Sequence, residues 1–174
     1  MKKNTLLLIL FLSIVVLAAR LIPHAPNFSP LASVILFGSV YISNKKYLIL
    51  PFIALFISDI FLGFYGWQIM LSVYGSLALI MLIGQVVAKH KNVINIISSS
   101  LLAGIIFFAA TNFSVWYFGN WYTSDISGLV ASYTMAIPFF KNTIASNLVY
   151  SGILFGVYET VQHLAKQKNL AYKK

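Results

Sequence analysis

The fold is decided by residues 93–118, which read VINIISSSLLAGIIFFAATNFSVWYF and contain no charged side chain. Strands of a membrane β-barrel are about 10 residues long and alternate apolar with polar positions, whereas this stretch is longer and largely apolar throughout. About 20 such residues cross the hydrocarbon core of a bilayer as a helix, which satisfies its own backbone hydrogen bonds. The stretch is therefore predicted to be a transmembrane helix.

The rest of the 174-residue chain has the same character, since 60% of all residues are hydrophobic and 9% are charged. A typical soluble domain is about half apolar and about a quarter charged, so an ordinary globular domain is excluded. Six helices of about 20 residues would use roughly 120 residues and leave no room for a second domain. Apolar runs between charges and helix breakers predict six spans, at Thr5–Ile22, Pro30–Ser43, Tyr47–Phe64, Gln68–Ala88, Val93–Phe118 and Pro138–Val161. The predicted fold class is all-α, a bundle of six transmembrane helices in a single domain over residues 1–174.

Basic side chains mark one side of the predicted membrane. The chain has 12 Lys plus Arg against 3 Asp plus Glu, a net charge of +9. Lysines fall at every second boundary between spans, at Lys2, Lys3, Lys45, Lys46, Lys89, Lys91, Lys166, Lys168, Lys173 and Lys174. Because cytoplasmic loops are rich in Lys and Arg, both termini are predicted to be cytoplasmic in a multi-pass protein of the bacterial inner membrane. The lysines form no basic helix face, so a nucleic-acid partner is not expected.

Three segments depart from a plain six-helix pattern. Residues 2–18 also fit a secretory signal peptide with a cleavage site at residues 16–18, whose removal would leave five spans. Residues 23–30 hold three of the five prolines, so they are predicted to form a stiff outer loop that dips into the membrane. A short helix over Gly128–Ile137, capped by Ser124 or Asp125, is predicted to end at Pro138 on the outer surface.

Polar side chains in the outer halves of the spans form the candidate binding site. An ionisable group in the hydrocarbon region costs several kcal/mol unless it is paired or hydrated, which makes such residues functional candidates. The residues predicted to converge on one outward-facing cavity are Arg20, His24, Asn27, Asp59, Asn112, Trp116, Lys141 and Asn142. An anionic solute would bind Arg20 or Lys141, with Trp116 or Tyr133 stacking on it. The alternative is structural: Asp59 pairs with one of the two cations and the amides only join helices.

No motif for catalysis or for cofactor binding is present. The sequence contains no H-E-x-x-H, no G-x-S-x-G, no carboxylate pair and no nucleotide-binding P-loop, and it has no cysteine. The sequence therefore predicts no enzyme activity, no catalytic residue, no cofactor and no metal site. Gly152 and Gly156 form a G-x-x-x-G pattern, which is typical of close packing, either inside the bundle or against a partner subunit.

Four stretches resemble a family of small bacterial integral membrane proteins: 20–30 (RLIPHAPNFSP), 58–59 (SD), 111–116 (TNFSVW) and 136–143 (AIPFFKNT). That family is similar to the substrate-binding S components of energy-coupling factor (ECF) vitamin transporters. The resemblance implies six helices and capture of a vitamin-like solute from outside, beneath the loop that follows the first helix. It also implies two kinds of partner, a transmembrane coupling protein and two ATPase subunits.

Position by position, the resemblance implies that the loop Pro23–Pro30 is a lid over the binding site. The implied pocket residues are Asp59, Asn112, Trp116, Lys141 and Asn142. S components commonly carry a small-xxx-small face on the first helix, which is missing here, so Gly152 and Gly156 are the candidate docking face. The alternative function is a non-transporting membrane scaffold or assembly protein, whose polar residues only hold helices together.

Overall fold

The computed structural model describes residues 3–171, and within that range the chain is all-helical. The helices are α1 (Lys3–Leu21), α2 (Leu31–Tyr41), α3 (Ile49–Leu62), α4 (Trp67–Val87), α5 (Val93–Phe118) and α6 (Ile126–Ala171), with a 3-10 turn at Lys45–Leu48. Lys2, Lys173 and Lys174, which were predicted to be cytoplasmic, lie outside the described residues. The ends of the first five predicted spans lie within about two residues of the ends of α1 to α5. The third predicted span also includes the last two residues of the 3-10 turn that precedes α3. Two helices of the described range, α4 and α5, are long and apolar enough to cross a membrane.

The last helix differs from its prediction. The sequence predicted a separate helix ending at Pro138, but α6 runs without interruption from Ile126 to Ala171 with Pro138 inside it. An internal proline costs about 3 kcal/mol, because it removes one backbone hydrogen bond and crowds the preceding turn. Contacts with α5 hold α6 on both sides of the proline. Before it, the Tyr133 hydroxyl donates to the Ala109 carbonyl at 2.7 Å. After it, the ring centroids of Phe140 and Phe108 are 4.4 Å apart. This packing keeps the two parts of α6 in one helix.

Helix α2 forms the centre of the bundle. Of its 11 residues, all nine from Leu31 to Ser39 are buried, and it contacts α1, α4, α5 and α6. A helix that is apolar on all sides is typical of such a central position. At 1.5 Å per residue α2 is only about 16 Å long, shorter than the hydrocarbon core of a bilayer.

The described part of the bundle buries polar side chains and exposes large apolar ones. Asp59, Ser100 and Asn147 are buried, and every buried side-chain nitrogen or oxygen in the described residues has a hydrogen-bond partner. Phe61 is 74% exposed and Leu71 is 65% exposed. Full burial of an ionisable group such as Asp59 is rare in proteins folded in water, and here it is accompanied by a salt bridge.

Candidate functional site

The candidate site is a cavity of about 290 Å³ at the end of the bundle where loop 22–30 joins α1 to α2. All six helices contribute at least one side chain to its lining, and the loop contributes three. The apolar part of the lining consists of Leu31, Ala32, Leu62, Leu77 and Phe107. The remaining lining residues are polar: Arg20, His24, Asn27, Ser29, Thr143, Ser146 and Asn147.

Arg20 reaches the cavity from the last turn of α1 and is held in place by α3. Its Nη2 forms a salt bridge with Asp59 Oδ1, and its Nε donates to Ser58 Oγ at 3.1 Å. Asp59 is fully buried, and its second oxygen accepts the Tyr74 hydroxyl of α4 at 2.7 Å. Of the two cations that the sequence offered to Asp59, the structure pairs it with Arg20. The network ties α1, α3 and α4 together beside the cavity.

The α6 side of the cavity consists of three polar residues that the site prediction did not include. Thr143, Ser146 and Asn147 are at most 7% exposed, and all three line the cavity. Their spacing of i, i+3 and i+4 places them on one face of a helix, which is the sequence signal that could have identified them. Asn147 also joins α6 to its neighbours, since its Nδ2 donates to the Ser100 carbonyl of α5 at 3.2 Å and its own carbonyl accepts from Ser33 of α2.

The proline-rich loop forms part of the cavity wall, through His24, Asn27 and Ser29, and is attached to α6. Asn142 Nδ2 donates to the Pro26 carbonyl at 2.9 Å, and the ring centroids of Phe28 and Tyr150 are 5.7 Å apart. Asn27 has a φ of 59°, in the left-handed region that asparagine tolerates better than most residues. The loop is irregular, as its prolines predicted, and Asn142 acts on it rather than on the cavity directly.

The predicted site residues do not all meet at this cavity. Arg20, His24 and Asn27 line it, and Asp59 lies behind Arg20. Asn112, Trp116, Tyr133 and Lys141 do not line it. Asn112 donates to the Phe108 carbonyl of its own helix, and the Trp116 indole donates to the Thr123 carbonyl.

Helix rotation explains why these residues are separated from the cavity. At about 100° per residue, Asn112 lies about 140° around α5 from Phe107, and Lys141 lies about 120° around α6 from Asn147. Phe107 and Asn147 line the cavity, so Asn112 and Lys141 face elsewhere. Lys141 is exposed and forms no salt bridge within residues 3–171.

The G-x-x-x-G pattern of α6 is not a packing face inside the bundle. A Cβ added at Gly152 or at Gly156 would meet no atom of the described chain within 4 Å. The interpretation of these glycines as internal contacts is therefore wrong, because α6 turns a neighbouring face, with Ser151 and Phe155, towards the core. The glycine face lies open on the surface of the bundle.

Asp125 caps the first turn of α6, as one of the two predicted capping residues. Its Oδ1 accepts hydrogen bonds from the Gly128 amide at 2.8 Å and from the Ser127 and Thr123 hydroxyls. These bonds, the Gly128 amide first, lower the pKa of the exposed Asp125 carboxyl to about 2. A carboxyl with a lowered pKa in the folded state stabilises the fold above its unfolded-state pKa and loses that effect as the pH falls.

We therefore expect the Asp125 cap to contribute a pH-dependent part of the stability. Between about pH 4 and about pH 2, the unfolding temperature of the wild type should fall more than that of Asp125→Asn, which keeps the cap but does not titrate. Thermal unfolding of the two purified proteins in detergent at each pH measures this difference. Parallel pH curves for the two proteins would contradict the assigned role of Asp125.

The chain matches no curated protein and no solved structure. One family, described as a family of unknown function (DUF6580), matches residues 1–170. Because this match covers nearly the whole chain, the protein belongs to the DUF6580 family.

Proposed function

We propose that this protein is a multi-pass inner-membrane protein that binds a small polar, vitamin-like solute from outside, as the substrate-binding subunit of an ECF-type importer. The observation that carries the proposal is the cavity of about 290 Å³, to which every helix contributes. Ligand sites are commonly pockets of about 300–1,000 Å³, so this cavity suits a small ligand.

The exposed surface supports the membrane part of the proposal. Large apolar side chains are exposed on α1, α3 and α6 as well as on the two longest apolar helices, for example Ile14, Phe61 and Val157. In water such a surface would drive aggregation, whereas in a bilayer it contacts lipid at no cost. The central position of α2 removes the need for this short helix to cross the bilayer in contact with lipid.

The charges at the cavity alter the kind of solute that we propose. An anionic solute was expected because Arg20 and Lys141 were both candidates for the cavity. Lys141 lies outside the lining, and the charge of Arg20 is balanced by the buried carboxylate of Asp59. The support for an anion is therefore weaker than the support for a small polar solute in general.

The importer part of the proposal rests on the resemblance to S components and on the open face of α6. An S component contains no nucleotide site of its own and must dock on a coupling protein. Gly152 and Gly156 offer a face where another helix could approach closely. Purification from native membranes should recover a transmembrane coupling protein with two ATPases, and a bulky Gly152→Leu variant should lose them.

Solute binding is tested by thermal shift and by mass spectrometry of released ligand, with purified protein and pooled vitamins and their precursors. At least one solute should raise the unfolding temperature. Ala32→Met fills the cavity without touching the ion pair and should abolish the shift, whereas Ala145→Met, on the exposed face of α6, should keep it. If no pooled solute raises the unfolding temperature, or if both variants respond like the wild type, the binding function is wrong.

A membrane scaffold is the second candidate, and specific contacts favour it. Arg20 with Asp59, Asn142 with Pro26 and Tyr133 with Ala109 each join two parts of the bundle. A scaffold needs such ties but no ligand. The thermal-shift experiment separates the two functions, because only a binder is stabilised by a solute and loses that response when the cavity is filled.

A further inference from the structure

The α6 wall of the cavity offers mainly hydrogen-bond acceptors. A hydroxyl has one proton to donate. Thr143 Oγ1 donates its proton to the Phe139 carbonyl at 3.1 Å, and Ser146 Oγ donates to the Thr143 carbonyl at 3.0 Å. While these two bonds are kept, both hydroxyl oxygens present lone pairs, as acceptors, to a molecule in the cavity.

Asn147 adds a third acceptor to this wall. The Ser100 carbonyl can only accept, so the amide atom 3.2 Å from it must be the nitrogen, Nδ2. The other amide atom, Oδ1, accepts no hydrogen bond from the described residues, although buried polar side-chain atoms in those residues all have partners. Oδ1 must then be open to the cavity that Asn147 lines.

The opposite wall offers donors. A guanidinium group has five N–H donors and no acceptor. The Nε and Nη2 of Arg20 are engaged by Ser58 and Asp59, while its Nη1 donates to no atom within residues 3–171. Because Arg20 lines the cavity and its side chain is 23% exposed, Nη1 is available to a ligand oxygen.

The charge balance limits the ligand further. No acidic side chain of the described residues lines the cavity, so a ligand ammonium group would have no counter-charge at the α6 wall. A ligand carboxylate would share Arg20 with Asp59, which already neutralises it. Burying a charge without a partner of its own is costly, whereas neutral N–H and C=O groups need only hydrogen bonds.

We infer that the solute is an uncharged amide-type compound, such as a lactam, ureide or N–H heterocycle, with its carbonyl at Arg20 and its N–H groups at Thr143, Ser146 and Asn147. This inference rests on the proposed binding function and specifies its substrate class. It replaces the anionic solute that the two outer cations had suggested.

Two matched sets of probes test the inference by calorimetry and thermal shift. The first set is uracil, its carboxylate relative orotate and 1,3-dimethyluracil, which has no N–H. The second set is 2-pyrrolidinone, pyroglutamate and N-methyl-2-pyrrolidinone. In each set the neutral N–H compound should bind about tenfold or more tightly than both relatives. The methylated relative leaves a buried acceptor without its donor, and the carboxylate relative buries a charge without a partner of its own.

A pair of amide variants supplies the control. Asn147→Leu should weaken uracil binding about tenfold and remove its advantage over 1,3-dimethyluracil. Asn112→Leu removes an amide that lies outside the cavity and should leave both affinities unchanged. The inference is overturned, with the binding function intact, if orotate or a methylated probe binds best, or if only an unrelated pooled solute binds. If neither a probe nor a pooled solute binds, the proposed function itself fails.

Discussion

Replacing Asp59 with alanine should lower the free energy of unfolding by about 3 kcal/mol, the largest loss expected from any single substitution considered for this protein. Asp59 is fully buried and accepts hydrogen bonds from both Arg20 and Tyr74. Its loss leaves the guanidinium of Arg20 without a counter-charge and the Tyr74 hydroxyl without its acceptor. The side chain of Arg20 is 23% exposed, so water compensates part of the loss and the value stays at the lower end of the usual range. Reversible unfolding by SDS in mixed micelles measures the free energy.

The second ion pair of the described chain is the matched control for this prediction. Lys91 and Glu159 form a salt bridge near the other end of the bundle, with side chains 37% and 46% exposed. Exposed pairs contribute about 0–1 kcal/mol, so Glu159→Ala should cost less than about 1 kcal/mol. The double variant Arg20→Leu with Asp59→Leu should recover most of the stability, because no buried charge remains unpaired. Equal losses for Asp59→Ala and Glu159→Ala would contradict the assigned role of the buried pair.

Replacing two glycines of α4 with alanine should change the stability of the protein in opposite directions. A Cβ at Gly84 would lie 2.5 Å from Ser39 Cβ and 2.9 Å from the Leu36 carbonyl oxygen, both on the central helix α2. Backbone at that distance cannot move aside locally, so we expect Gly84→Ala to destabilise the protein by about 1–3 kcal/mol. A Cβ at Gly75 meets no atom of the described chain within 4 Å. Gly75→Ala should therefore stabilise the protein by about 0.5–1 kcal/mol, since alanine favours the helix.

The same SDS unfolding experiment compares the two glycine variants. Both substitutions add one methyl group to the same helix, so differences in helix propensity cancel between them. If Gly84→Ala is as stable as Gly75→Ala, α4 does not approach α2 as closely as the structure places it. Far-ultraviolet circular dichroism confirms that both variants keep their helix content.

Much of the secondary structure could be read from local sequence. Val93–Phe118 is a helix with the bounds predicted for it, because residue 92 caps its start and a glycine follows its end. Asp125, one of the two predicted capping residues, caps the next helix. Pro138 misled the prediction for α6, because a proline penalty of about 3 kcal/mol can be smaller than the packing on either side of it.

The candidate site was harder to predict than the helices. Arg20, His24 and Asn27 were identified because a charge and a proline-rich loop at a helix end are visible in the sequence. Thr143, Ser146 and Asn147 share a helix face, but the sequence does not say that this face meets the cavity. Asn112 and Lys141 were equally polar candidates, and their helices turn them away from it.

By itself, the sequence determined the helical class and five of the six helix positions, and it narrowed the cap of the sixth helix to two residues, since these features depend on residues that are close along the chain. Only the tertiary structure decided that α2 is central, that Asp59 pairs with Arg20, and that Asn147 lines the cavity. The physical reason is rotation about the helix axis: successive side chains differ by about 100°, and contacts between distant segments select which of them face inward.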